Sequence, residues 1–533
     1  ESSCAIPFDF RFFSFQGKAR NSCQNRTLKM IGTFIKILFF IGIFIGAFYA
    51  HCKKPNIVLI LADDVSADMF SCYGQKGSAK TPNIDRIAKE GVQFKTCFAP
   101  AICAPSRALF MTGVYANRTG VFRNDMWAFD SRSKLFTDRP SWSKLLQDGG
   151  YETAIAGKWH CGSREPWDEN VGFDEYCLWE SPEKIKSHLG VDPIASGLRK
   201  DLGLEDLRYW HPSTVENGKY LEVTGDDFGP DQRCDFLLGF MERMTRKEKP
   251  FIAYWPTVIP HGPYSTTPDH GKPLDLELEK PDFKGLSKEE KEKAVAKYEK
   301  KRAQRFARLI EYMDKLIGKL IRKAEDLDIY ENTYFIFCAD NGTAVTAKDR
   351  GVERGVHVPY VVRGPGIKPL GITDELTDFS DVAPTLLEMA GISKPNDLYF
   401  DGKSQVPFLT GKTESHRKWI YAYTGSVQVL RTKKYLLEAR SHLLGKPEGR
   451  FYFTGNDRFG RGYERAEGLP EHAPTLSLFK RVLDSMPSHL EKNHPFWDSK
   501  YGKRWSQNNP NLEELSNKQL YNHPDYSRYD ESD

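Results

Sequence analysis

At 533 residues, 40% hydrophobic and 28% charged, the chain is long enough for one large α/β core with a smaller one beside it, in the composition range of ordinary globular proteins. Its 76 Lys and Arg against 72 Asp and Glu leave a formal charge of +4 with the signs well mixed, which excludes the broad basic footprint of a nucleic-acid binder, so an anionic partner has to be recognised locally. Ten cysteines occur without metal-type spacing; their pairing is not deducible, and a core of this size needs no disulfide.

Residues 1–29 carry no recognisable pattern and are read as an upstream segment foreign to the mature protein, with Met30 as the start. Residues 30–50 read as a signal peptide: Arg26, Lys29 and Lys36 supply basic charge, and the apolar run from Ile37 to Tyr49 is short for a membrane span, with cleavage near Ala50. The expectation is a secreted or periplasmic protein with no stable membrane span in its mature form, the alternative being an uncleaved anchor. After Lys53 comes KPNIVLILADD, whose branched apolar run reads as a fully buried strand of a largely parallel sheet. Similar runs recur at TAIAGKWH, PFIAYWPTVIPHGPY, YFIFCADNG and VPYVVRGPG, each passing from apolar to polar or Gly/Pro residues. Between them, RFARLIEYMDKLIGKLIRKAEDL places Phe306, Leu309, Ile310, Met313, Leu316, Ile317, Leu320 and Ile321 at helical steps, and the charged run before it reads as its solvated extension. Strands alternating with helices predict an α/β fold: a large, doubly wound, mostly parallel sheet flanked by helices over 53–415. From His416 shorter strand-like pieces and the helix LSLFKRVLDSM predict a smaller C-terminal α+β domain with a polar tail over 416–533.

In doubly wound sheets the site gathers at the carboxyl ends of the strands. Asp63 and Asp64 follow the first run and Asp340 and Asn341 follow YFIFCA. Either pair alone reads as a cap or turn; together they offer hard oxygen donors that suit Ca²⁺ or Mg²⁺ better than a transition metal. Lys158, His160, His261 and Lys348 stand just past other runs. In CAPSRALFMTG, Pro105 suits the first position of a helix, which puts Cys103 at the helix's positive end with Arg107 one turn along. A thiol so placed is expected to be partly ionised, for chemistry or anion capture, although a lone cysteine is most simply a small buried hydrophobe. A metal ringed by these cations describes a pocket for a tetrahedral oxyanion.

NIVLILADD, TPNIDRIAKEGVQF, CAPSRALFMTG, GKWH, PHGPY and ADNG resemble, in order and spacing, the motifs of the type I sulfatases of the alkaline phosphatase superfamily, from Pro55 to Gly391 and more loosely through LRTKKYLLEA. The resemblance implies that Cys103 is oxidised to formylglycine by a formylglycine-generating maturation enzyme that reads the proline and arginine, and that the hydrated aldehyde attacks sulfur and then expels sulfate. It implies one Ca²⁺, rather than Mg²⁺, held by Asp63, Asp64, Asp340 and Asn341 beside residue 103. Arg107 and Lys158 would hold the formylglycine, His160 would bond its hydroxyl, and His261 and Lys348 would bind sulfate, with His261 as proton donor. Lys348 is placed by its distance before ERGVHVP, where the family more often shows EGG; Arg354 replaces a glycine and leaves the local loop shape open. Ser181 is too loosely spaced to be carried over. The expected substrate is a sulfated carbohydrate, with Trp127, Trp167 and Trp179 as candidate stacking residues. The rivals are a phosphate mono- or diester hydrolase of the same superfamily, disfavoured by the missing ligands for a second metal, and a non-catalytic binder of sulfated glycans with Cys103 left as a thiol.

Overall fold

The computed structural model describes residues 53–486 apart from 75–77, 125–134, 162–163, 193–206, 272–281, 283, 345–346, 443–445 and 461. The upstream segment, the signal peptide, Trp127 and the tail beyond 486 therefore lie outside the described residues. Among these, no helix is long and apolar enough to cross a membrane.

Eleven described strands form one sheet: β1 (Asn56–Ala62), β2 (Val92–Phe98), β3 (Glu152–Gly157), β4 (Glu175–Trp179), β5 (Thr214–Glu216), β6 (Lys219–Tyr220), β7 (Phe251–Pro256), β8 (Thr333–Ala339), β9 (His357–Val358), β10 (Tyr360–Arg363) and β11 (Gly371–Asp378). Their order is β11-β2-β10-β8-β1-β7-β3-β4-β5-β6, with β9 on β2. The central five, β8-β1-β7-β3-β4, are parallel, as the continuous apolar runs predict. VPYVVRGPG departs from that expectation, because β10 lies antiparallel between β8 and β2. The 20-residue connection from β8 holds one helical turn, Glu353–Val356, too little for a crossover, so the chain doubles back.

Helices cover both faces. On one side pack α1 (Pro82–Glu90), α3 (Gly229–Arg246) and α4 (Lys288–Asp326); on the other pack α2 (Cys103–Thr112) and α5 (Val382–Met389), with Trp142–Asp148 between. The 39-residue α4 opens with a Ser287–Glu290 capping box, runs exposed through the lysine-rich segment and buries its apolar stripe from Phe306 on. α2 is buried along its whole length and begins at Cys103 itself. Pro105 is thus its third residue, not its first; its missing N–H is still one that the first turn leaves unpaired.

A second, antiparallel sheet contains β12 (Ile420–Thr424), β13 (Val427–Arg431), β14 (Tyr435–Arg440), β15 (Arg450–Phe453) and β16 (Glu464–Arg465), with α6 (Ala473–Asp484) after it. It shares a small core with the first: Phe98, Ala101, Val356 and Leu376 meet Ile420, Ala422, Val429 and Leu436. Arg417, just before β12, joins the two through Asp378 (3.0 Å) and Asp381 (2.6 Å).

His357 in β9 is buried, bonded through Nε2 to the Lys95 carbonyl (2.8 Å) and stacked on Phe459. Burial pushes its imidazole down to about 4. Below its ordinary value of roughly 6.5, the unfolded chain takes up a proton that the folded one refuses, so stability falls as pH drops through the window from about 6.5 to 4, by at most about 3 kcal/mol. Urea unfolding at pH 7 and pH 4.5 should show a smaller loss in His357→Gln than in the wild type; equal losses would rule His357 out as the source.

Candidate active site

The register of β1 on β8, Asn56 opposite Thr333 through Ala62 opposite Ala339, brings Asp63 and Asp340 to the same level at the carboxyl ends of the two strands. Asp340 N–H donates to the Ala62 carbonyl (2.9 Å) and Asp63 N–H to that of Ile259 (2.9 Å). Asp64 takes a left-handed conformation (φ 66°), which turns its own N–H to Asp340 Oδ1 (3.1 Å). On the other flank β3 ends at Gly157, where a Cβ would stand 2.0 Å from the Pro256 carbonyl oxygen; only glycine admits that approach, which delivers Lys158 to the same rim.

These side chains converge. Lys158 Nζ lies 2.7 Å from Asp63 Oδ2 and Lys348 Nζ 2.6 Å from Asp64 Oδ2. Arg107 holds Asp340 Oδ2 with two nitrogens, at 3.0 and 2.8 Å, and donates its third contact to the Lys158 carbonyl (2.7 Å). Cys103 Sγ sits among them, 3.5 Å from Asp63 Oδ1, 3.6 Å from Asp64 Oδ1 and 3.5 Å from Lys158 Nζ. His261, between the cis Ile259–Pro260 and Gly262–Pro263 bonds, places Nε2 3.2 Å from Lys348 Nζ and 3.4 Å from Asp64 Oδ2.

Burial raises the carboxyls of Asp63 and Asp64, but the surrounding cations together more than offset it, Lys158 foremost at the first and Lys348 at the second, and both lie below the usual carboxylate range. Burial pushes the His261 imidazole down to about 3. It also pushes the Cys103 thiol up, and the charge of Asp340 adds to that. The expectation of a partly ionised thiol is therefore corrected: the helix start is outweighed by desolvation and the surrounding carboxylates.

Oxygen donors from Asp63 and Asp64 meet Asn341 Nδ2, which donates to Asp64 Oδ1 (2.8 Å), while Asn341 Oδ1 is buried with no hydrogen-bond partner among the described residues. Ligand atoms of Asp63, Asp64, Cys103 and His261 all lie within 4.8 Å of one another. An orphaned buried oxygen beside two carboxylates fits a hard divalent cation. Asp340 is more committed, with one oxygen given to Arg107 and the other to Asp64 N–H. His261 joins the metal-capable group, which its sequence assignment as a sulfate-side residue did not include.

The site opens into a cavity of about 430 Å³ lined by Lys158, His160 and His261 together with Asn124, Trp159, Trp179, Glu180, Ser181, Lys184 and Arg208. His160 joins Lys158 and His261 on this wall, again from a left-handed backbone (φ 46°). Ser181, set aside on spacing, is on the wall after all and caps the helix Pro182–Leu189. Arg208 was not signalled by any motif. Its guanidinium lies 4.5 Å from the Trp179 ring and donates to the Gly262 carbonyl (2.7 Å), with His261 Nδ1 in contact. Trp167 stacks on Tyr176 and is 45% exposed, so one candidate stacking residue faces solvent while Trp179 faces the cavity.

The family model described as Sulfatase matches residues 55–392. The chain is 28% identical over 403 residues to the N-acetylgalactosamine-6-sulfatase of Canis lupus familiaris, covering 70% of this chain and 69% of that one. It is 29% identical over 477 residues to an ulvan-active sulfatase of Formosa agariphila, covering 84% and 78%. Among solved structures, one in complex with its substrate D-glucosamine-2-N,6-O-disulfate superposes with a TM-score of 0.59 at 22% identity, over 87% of this chain and all of that one.

Arg107→Lys keeps the charge but loses the two-pronged hold on Asp340 and the bond to the Lys158 carbonyl. It should lower stability by about 2–3 kcal/mol in denaturant unfolding, and a loss under about 0.5 kcal/mol would mean that charge alone suffices there.

Proposed function

This chain belongs to the sulfatase family, and from that premise we propose that it removes sulfate from a sulfated carbohydrate by means of a formylglycine made from Cys103. One observation carries the reading: residue 103 starts a buried helix within 3.5–3.6 Å of both strand-end carboxylates and Lys158. That floor lies under a cavity wide enough for more than a sulfate group.

Asp63, Asp64 and Asn341, with Asp340, would hold one Ca²⁺, which when bound supplies positive charge against the sulfate oxygens. Hydrated formylglycine supplies two geminal hydroxyls, one to attack sulfur and one through which sulfate is released. The chain's own residues do the rest. Arg107 keeps Asp340 and the Lys158 backbone in register, so that the carboxylates do not drift apart by mutual repulsion. Lys158 fixes the orientation of residue 103 from one side, and His160, on the cavity wall, would bond its hydroxyl. Lys348 and His261, 3.2 Å apart, face the ester from the other side and present hydrogen-bond donors to the oxygen that leaves as an alcohol.

A carbohydrate is favoured because several of the similar proteins, the N-acetylgalactosamine-6-sulfatase and the ulvan-active sulfatase among them, are named for a carbohydrate and because the outer wall supplies the means to bind one. Trp179 offers a ring face, and Glu180, Ser181, Lys184 and Arg208 offer directional polar groups. Export directed by residues 30–50, maturation of Cys103 by a partner enzyme, and a catalytic body over 53–415 with a subdomain from 416 complete the proposal.

The test uses full-length protein produced with the maturation enzyme and peptide mass spectrometry across residue 103. Converted protein should hydrolyse 4-nitrophenyl sulfate at least about 100-fold faster than 4-nitrophenyl phosphate, and Cys103→Ala should abolish that turnover. Removing divalent cations should stop turnover and added Ca²⁺ should restore it. Preference for the phosphate ester, or undiminished turnover with an intact cysteine, would defeat the reading. Tight binding of a sulfated glycan without sulfate release would favour a binder instead.

A further inference from the structure

Neither Lys348 nor residue 103 is held in place by the first sheet alone. Lys348 stands on the segment that leaves the end of β8, and several of the points that tie this segment down lie in the second sheet. The Gly351 carbonyl accepts the Ala439 N–H (2.8 Å), and Glu353 N–H donates to Glu438 Oε2 (2.8 Å). The Glu353 carboxylate is fully buried, accepts the Tyr463 hydroxyl (2.6 Å) and pairs with the Arg431 guanidinium. Arg431 is itself anchored on Thr454 Oγ1 (3.2 Å) and the Asp457 carbonyl (3.0 Å). Gly351 lies so close to β13 that a Cβ would come within 2.1 Å of the Val427 side chain.

The residue-103 side is tied to the same place. Thr424 Oγ1, at the end of β12, accepts the N–H of Ala101 (2.7 Å), two residues before Cys103. Asp349, next to Lys348, donates its N–H to the Ala101 carbonyl (2.6 Å). The two loops therefore meet each other over the edge of the second sheet, although none of the described residues lining the cavity comes from β12 to β16.

We infer that the second sheet is a positioning element for the reaction: through Glu353 and Arg431 it sets where Lys348 Nζ stands relative to residue 103. The inference rests on the sulfatase reading above, with Lys348 acting at the ester. Lysine is a point charge on a flexible four-carbon stem, so the place of its ammonium group depends on the backbone that carries it. Glu353 is five residues from Lys348, and its carboxylate is gripped from two directions. A buried ion pair is weak evidence for stability, and fixing one geometry among several is its better-attested use.

The experiment exchanges the pair for apolar groups, Glu353→Met with Arg431→Met, a replacement that is often close to neutral for stability. The kcat for 4-nitrophenyl sulfate should fall about 10- to 100-fold, with KM moved less than about threefold and Tm near that of the wild type. In a Lys348→Met background the same exchange should add no further loss, because the effect travels through the lysine. Unchanged kcat with Lys348 present, or an equal loss with and without Lys348, would overturn the inference. Tyr463→Phe removes only the hydroxyl that donates to Glu353 and accepts from Arg431 (2.9 Å); its smaller loss, about 3- to 10-fold, should likewise vanish without Lys348, and it decides the question if the double exchange does not fold. The wild type separates the two levels of failure. Converted protein that releases no sulfate brings down the sulfatase reading and this inference together, whereas active wild type with unaffected variants brings down the inference alone.

Discussion

The hold of Arg107 on Asp340 is the contact on which the rest of the site depends. Three carboxylates, those of Asp63, Asp64 and Asp340, are buried at the ends of adjoining strands, an arrangement that repulsion and desolvation would break apart if it were not neutralised. Arg107, Lys158 and Lys348 each lie within 3 Å of one of them. Arg107 is the one with geometry as well as charge. Its fork locks the end of β8 and its remaining donor reaches the backbone after β3, so α2, β8 and β3 are tied at one point. Because α2 starts at Cys103, the same contact fixes residue 103 over the carboxylates.

That balance of charge bears on what can enter. With His261 neutral, three negative and three positive groups leave the floor of the site close to zero. A divalent cation bound there would make it positive by two, and a sulfate monoester would take back one of those charges. The cation and the anionic ester are thus mutually supporting occupants, and neither alone has the field that the pair creates.

Much of this was legible in the sequence, and for a definite reason. β1, β3, β7 and β8 are buried on both faces, so their residues form unbroken apolar runs, and the parallel register delivers the residues just past each run to one rim. Asp63, Asp64, Lys158, His261, Asp340 and Asn341 are all placed in that way. The signal fails where burial is one-sided or direction is set by a loop. β11 alternates exposed and half-buried positions over its first half, and β10 runs antiparallel because its connection has too little helix for a crossover, a property of the whole connection and not of VPYVVRGPG. The ionisation of the Cys103 thiol escapes a sequence reading for a similar reason: the helix start is local and visible, while Asp63, Asp64 and Asp340 arrive from distant strands.

The outer wall shows a third kind of limit. Trp179, Glu180 and Ser181 stand at and just past the end of β4, and Arg208 comes from an irregular stretch; no periodicity marks them, and they meet only because the fold curls that stretch over the strand end. On the proposed reading the ends of β1, β3, β7 and β8 deliver the groups that would handle the sulfate, and any protein with this sheet and this helix start has reason to keep them. The outer wall, drawn from the end of β4, the helix after it and the irregular stretch at Arg208, would on the proposed reading face the alcohol, and its residues are free to change without disturbing the charge balance below. The residues of the buried cluster were therefore readable from short motifs, whereas on the reading proposed above the choice of sugar would depend on a three-dimensional assembly around Trp179 and Arg208 that has no short sequence pattern to announce it.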